Sequence, residues 1–133
     1  MTYNFGKSST RRLNTCHPDI QAVMHLALSK SAHDFSIAEG HRGQQKQDRC
    51  FEEGTSWVKF PGSYHNESPS LAVDVVPYKG GAIWGCDTYE EATAWNEVVN
   101  SIKEAAAELE INLEWGFDLW EKDRPHFQLT EYR

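Results

Sequence analysis

Apolar residues in this chain follow two different periods, and the switch between them predicts the elements. From Pro18 onward, Ile20, Val23, Met24, Ala27 and Leu28 keep helical spacing on one face. Pro18 suits the first turn of that helix, where its missing N–H costs nothing. A second stripe, Ala92, Trp95, Val99, Ile102, Ala106 and Leu109, predicts a long helix. Asp87 or Thr88, with Glu90 or Glu91 three residues on, would open it. Ser8-Ser9-Thr10 predicts the cap of a short helix running to about Thr15. Strict alternation takes over from Leu71 to Val76, with Ala72, Asp74 and Val76 facing one way and Leu71, Val73 and Val75 the other. Phe35 to Ala38 reads as a strand ending at a Gly40 turn, which puts Arg42 on a strand-to-helix connection. Gln44 to Glu53 reads as a polar helix stopped by Gly54. Gly80-Gly81 marks a turn, and Leu113 to Trp115 and His126 to Leu129 read as closing strands. The predicted fold is α+β: a small antiparallel sheet packed with N-terminal helices and one long helix.

At 133 residues, with no linker, repeat or low-complexity tract, the chain reads as a single domain over 1–133. A formal net charge of −7 excludes a nucleic-acid footprint and long-range attraction to an anionic wall or membrane. An acidic ligand would therefore need cations placed locally. No segment approaches the roughly 20 apolar residues of a bilayer span, so no stable membrane insertion is expected. Met1 to Arg12 lacks the apolar core and cleavage site of a secretory signal. Cys16, Cys50 and Cys86, an odd count without CxxC spacing, read as free thiols of a reducing compartment, with Cys50 a small buried hydrophobe. A monomer is expected.

Chemistry enters with Asp74. A carboxylate in an otherwise apolar strand needs a partner, either a metal or an Arg, because burying it unpaired is costly. His126 and Gln128 share one face of the last strand. If that strand pairs with the one carrying Asp74, Asp74 and His126 converge, and His65 can enter from the preceding loop. Three protein ligands leave a tetrahedral Zn²⁺ one position open, the catalytic arrangement. Asp123, three residues before His126, is a candidate general base. Three extended residues span roughly 10 Å, so Asp123 serves only if the chain turns near Pro125. Glu67, Asp118 and Glu121 are its local rivals. Of the other histidines, His17, His25, His33 and His41, only His41 is expected near a cleft. Trp95, Trp115 and Phe117 are expected in the core, and Trp57, Trp84 and Trp120 in loops that can line a groove.

Three spaced segments also carry a resemblance: Ser63-Tyr64-His65, Ala72-Val73-Asp74 and Asp123-Arg124-Pro125-His126. Together with Asn4-Phe5-Gly6-Lys7-Ser8, Glu39-Gly40-His41-Arg42 and Trp115-Gly116-Phe117-Asp118, they resemble the zinc peptidases that cut bacterial cell-wall peptides. That group comprises D-Ala-D-Ala carboxypeptidases and L-alanyl-D-glutamate endopeptidases, and the chain most resembles its short bacteriophage endolysins. The resemblance implies Zn²⁺ on His65, Asp74 and His126, with Asp123 as catalytic base. It further implies Arg42 as a catalytic and substrate-binding cation and Ser63 as a substrate contact. The implied activity is cleavage of the peptidoglycan stem peptide between L-alanine and D-glutamate, in host lysis. The enzyme would wait in the host cytoplasm until a partner opens the membrane. A D-Ala-D-Ala carboxypeptidase or dipeptidase, and a catalytically silent zinc-binding module, are the alternatives. One departure is local: Ser68-Pro69-Ser70 stands where many members have a shorter loop with Gly, so a Pro-Ser turn replaces a Gly turn.

Overall fold

In the computed structural model, which describes residues 3–133, four antiparallel strands make one sheet. They are Phe35–Glu39 (β1), Ala72–Pro77 (β2), Glu114–Trp115 (β3) and His126–Gln128 (β4), in the order β1-β2-β4-β3. Every residue of β2 except Asp74 is buried, as suits a central strand. Val73 lies opposite Phe127, and Asp74 opposite His126. Val73, Val75 and Phe127 join the hydrophobic core. The period-2 alternation turns Asp74 and His126 to the other face, where the site is built.

The helices are Lys7–Leu13 (α1), Pro18–Lys30 (α2), Gln44–Glu52 (α3), Tyr89–Glu108 (α4) and Gly116–Trp120 (α5). α2 and α4 pack against each other, and α4 against β2. The predicted face of α2 is buried entire, each fully buried Ile or Val contributing about 1.5–3 kcal/mol by leaving water. α4 opens with a capping box: the Thr88 hydroxyl accepts from Glu91 N–H (3.1 Å) and the Glu91 carboxylate from Thr88 N–H (3.0 Å). Its buried stripe is wider than predicted, taking in Ala94, Val98, Ser101 and Ala105. Ala92 is only half-buried, and Leu109 lies 39% exposed because the helix stops at Glu108.

Four expectations need correction. α1 begins at Lys7 behind Gly6, with no side-chain cap and an end at Leu13. The Ser9 hydroxyl expected near that cap instead accepts from Ile37 N–H (3.0 Å), and Arg12 Nη1 donates to Ile37 C=O (3.2 Å). Those two bonds tie α1 to the outer edge of β1. Leu113 stays outside β3, and the chain enters α5, a five-residue helix too short to carry a readable period. Cys50 is only half-buried; all three thiols are free, and burial pushes that of Cys16 up to about 12. Trp95 is buried, whereas Trp115 and Phe117 remain partly exposed. Among the described residues, no helix is long and apolar enough to cross a membrane.

Candidate metal centre and cleft

Asp74 and His126 are direct partners across the β2–β4 ladder, so the sheet's own hydrogen bonds fix two of the three converging groups. His65 comes from a 3₁₀ turn, Tyr64–Asn66, in the connection before β2. The turn is encoded locally. The Ser63 hydroxyl accepts from His65 N–H (3.2 Å), and Asn66 Oδ1 accepts from Ser63 N–H (3.0 Å).

The ring orientations follow from their second nitrogens. His65 Nδ1 lies 2.8 Å from Gly40 C=O. A carbonyl only accepts, so Nδ1 carries the proton and Nε2 keeps its lone pair, 3.2 Å from Asp74 Oδ1. A side chain at position 40 would run into the Arg12 carbonyl and the Thr15 hydroxyl, so a glycine is required for β1 to end this close to α1 and offer that carbonyl. His126 uses the opposite nitrogens. Its Nε2 donates to Gln128 Oε1 (2.8 Å) and its Nδ1 stands 3.4 Å from the same Asp74 Oδ1.

The three donor atoms lie within 4.8 Å of one another and could hold a metal ion. Ligand atoms on a tetrahedral ion at about 2.0–2.1 Å stand about 3.3 Å apart, which the two His–Asp spacings match. Each ring also places its outer N–H on an amide oxygen, the support that orients metal-binding imidazoles. The donor types, the two His–Asp spacings and the support of each ring therefore suit a metal ion.

Burial alone would raise the Asp74 carboxyl, but the charge and hydrogen bonds of His65 and His126 hold it well below the usual carboxylate range. Burial pulls the His126 ring down, yet its bond to Asp74 and that carboxylate's charge leave it raised. Asp123 moves the other way: partial burial raises its carboxyl, opposed by the charge of the His126 imidazole and helped by that of Asp74.

A cavity of about 420 Å³ opens over the three groups, lined also by Arg42, Ser63 and Asp123. The turn needed at Pro125 is present. Asp123 adopts the left-handed conformation (φ 67°), one that Asp tolerates better than most residues, and its carbonyl accepts from His126 N–H (3.1 Å). Trp115 Nε1 donates to Arg124 C=O (2.6 Å), and Val75 N–H to Pro125 C=O (2.9 Å), clamping the turn from both sides. None of the rivals lines the cavity: Glu67 pairs with Arg133, Asp118 pairs with Lys103, and Glu121 also lies outside. His41 is exposed and likewise outside it, its Nδ1 against Glu67 C=O. Trp57 and Trp120 line this cavity, and Trp84 does not.

Arg42 is no solvated loop charge. Its Nε donates to Glu39 Oε1 (2.6 Å) and its Nη1 to Gln47 Oε1 (2.9 Å). Its backbone N–H reaches His65 C=O (2.7 Å), so the cation and the ligand turn are tied together. Ser63, having accepted from His65, keeps its own O–H to donate. The sequence reading missed Glu39 and Gln47. Gln47 is fully buried in a largely polar helix, and its Nε2 donates to Ser56 Oγ (2.8 Å) and Val58 C=O (2.7 Å). Its nearness in sequence to Arg42 was the one available signal.

Residues 1–129 match the model of the family described as phage L-alanyl-D-glutamate peptidase. The chain belongs to that family. This peptidase is 33% identical over 118 residues to the L-alanyl-D-glutamate peptidase of Escherichia phage T5, a match covering 89% of this chain and 82% of that protein. It also resembles the crystal structure of the Serratia marcescens L-Ala D-Glu endopeptidase ChiX. The TM-score is 0.80 at 32% identity, over 97% of this chain and 93% of that one. The α+β architecture expected of the peptidase is thus that of a solved relative.

Proposed function

We propose that this peptidase is a zinc-dependent endolysin, a monomer with one catalytic domain, that cuts the peptidoglycan stem peptide between L-alanine and D-glutamate. The observation that carries the reading is the convergence of His65, Asp74 and His126 in a cavity that also holds Asp123 and Arg42. Bound to those three ligands, zinc would polarise the scissile carbonyl and bring the acidity of water toward neutral pH. The raised Asp123 carboxyl suits a group that takes a proton from the attacking water and returns one to the leaving amine. Arg42, pinned by Glu39 and Gln47, would offset charge developing on the carbonyl oxygen. Ser63 would donate its hydroxyl to the substrate. The chain would accumulate in the host cytoplasm and meet the wall at lysis.

Digestion of purified peptidoglycan by zinc-loaded protein, with identification of the new amino termini, tests the reading. New D-glutamate termini are expected. Release of D-alanine would reassign the bond to a carboxypeptidase, and an intact wall would leave only a zinc-binding module.

A further inference from the structure

One cation of the cleft has no place in the mechanism above. Lys122 lines the same cavity as the three ligands and Asp123. Its Nζ stands 4.4 Å from the centre of the Trp57 ring. Trp57 meets Trp120 edge to face at 5.5 Å, and Trp120 lies 5.7 Å from the His126 ring. These residues form one wall running from the ligands to the rim. The wall is anchored from behind, because Gln47 bonds Ser56 and Val58 on either side of Trp57. Yet Trp57 is 54% and Trp120 40% exposed, an open aromatic face of the kind that marks a binding surface.

The two cations of the cavity differ in what they have left to give. Arg42 already meets a carboxylate at 2.6 Å. Lys122 has no carboxylate within salt-bridge distance among the described residues; it rests on a ring face, which attracts a cation without neutralising it. In a chain of net charge −7, this is the cleft charge still available to an acidic ligand.

We propose that Lys122, held over Trp57, is the specificity residue that binds the free carboxylate of the D-glutamyl residue on the leaving side of the scissile bond. The inference rests on the bond assigned under the proposed function. A glutamyl residue within a chain keeps one carboxylate free, whichever carboxyl continues the peptide. Lys122 also adjoins Asp123, the group assigned to protonate the leaving amine, and that amine belongs to the glutamyl residue. Lys122 and Asp123 line the same cavity, so the cation is available to the residue whose amine Asp123 would protonate. An exposed ammonium on a flexible stem suits recognition of a single carboxylate as a point charge.

The test compares two stem peptides, one with D-glutamate after L-alanine and one with D-glutamine, each cleaved by zinc-loaded wild type, Lys122→Gln and Lys122→Arg. Wild type should prefer the D-glutamate peptide by at least about tenfold in kcat/KM, a margin of about 1.4 kcal/mol. Lys122→Gln should abolish that preference through KM for the acidic peptide, and Lys122→Arg should restore most of it. A merely structural lysine would lower both peptides together and leave the ratio alone. An unchanged ratio in Lys122→Gln, or no preference in wild type, overturns the assignment while the function stands. Wild type that cuts neither peptide at this bond overturns the function and the inference with it.

Discussion

Asp74 and Asp123 share a cavity, and their surroundings push them in opposite directions. Two imidazoles hold Asp74 ionised, whereas partial burial raises the Asp123 carboxyl above its ordinary value. A ligand and a base fail differently when deleted. Asp123→Ala should keep its metal while turnover falls at least about a hundredfold; Asp74→Ala should lose the metal itself. Metal analysis beside single-turnover rates separates the two, and near-normal turnover in Asp123→Ala would return the role to another group. At this scale, Asp74 was legible because a carboxylate in an apolar strand demands a partner. His126 followed from its place in the last strand. Asp123 was only half legible, since a backbone turn decides whether it reaches the cavity. Glu39 and Gln47 were not legible as partners of Arg42, because a polar residue at a strand end or on a largely polar helix gives no sign of which side chain it will bind.

Among the elements, the connection between β3 and β4 does most to shape the site. Gly116 starts α5 where the returning chain passes closest: an added Cβ would lie 2.7 Å from the Asp123 carbonyl and 3.1 Å from His126 Cβ. Neither neighbour is a flexible side-chain end. Gly116→Ala should therefore displace the 123–126 turn, weaken metal binding about tenfold or more and destabilise the fold by about 1–3 kcal/mol. Competition with a chelating dye and the urea midpoint check both, and wild-type values for the two would mean that the turn can shift freely. α2, α4 and β2 were predictable because many apolar positions repeat along each. β3 and α5 have two and five residues. Their existence is set by contacts with β4 and the turn, information that no local window contains.

For the whole molecule, a metal on the proposed ligands would compete with protons for one set of groups. The His126 pKa is raised in the folded chain. Its contribution without metal is therefore complete below the unfolded value of about 6.5 and lost as pH rises through the folded one. Metal binding has the opposite sign, because it needs unprotonated imidazoles, and at a hundredfold excess over Kd it adds about 2.7 kcal/mol. The drop in Tm on adding a chelator should thus be larger at pH 8 than at pH 6. Calorimetry at the two pH values checks it, and an equal or reversed difference would contradict this balance at His126. A different property of the whole follows from the two bonds that α1 makes to Ile37. They occupy the middle of the sheet's one long free margin, and the opposite margin, β3, is only two residues long. Neither side gives a second copy of the chain a template on which to polymerise strand by strand. Pairing between copies along this sheet therefore has no long open strand edge among the described residues from which to start.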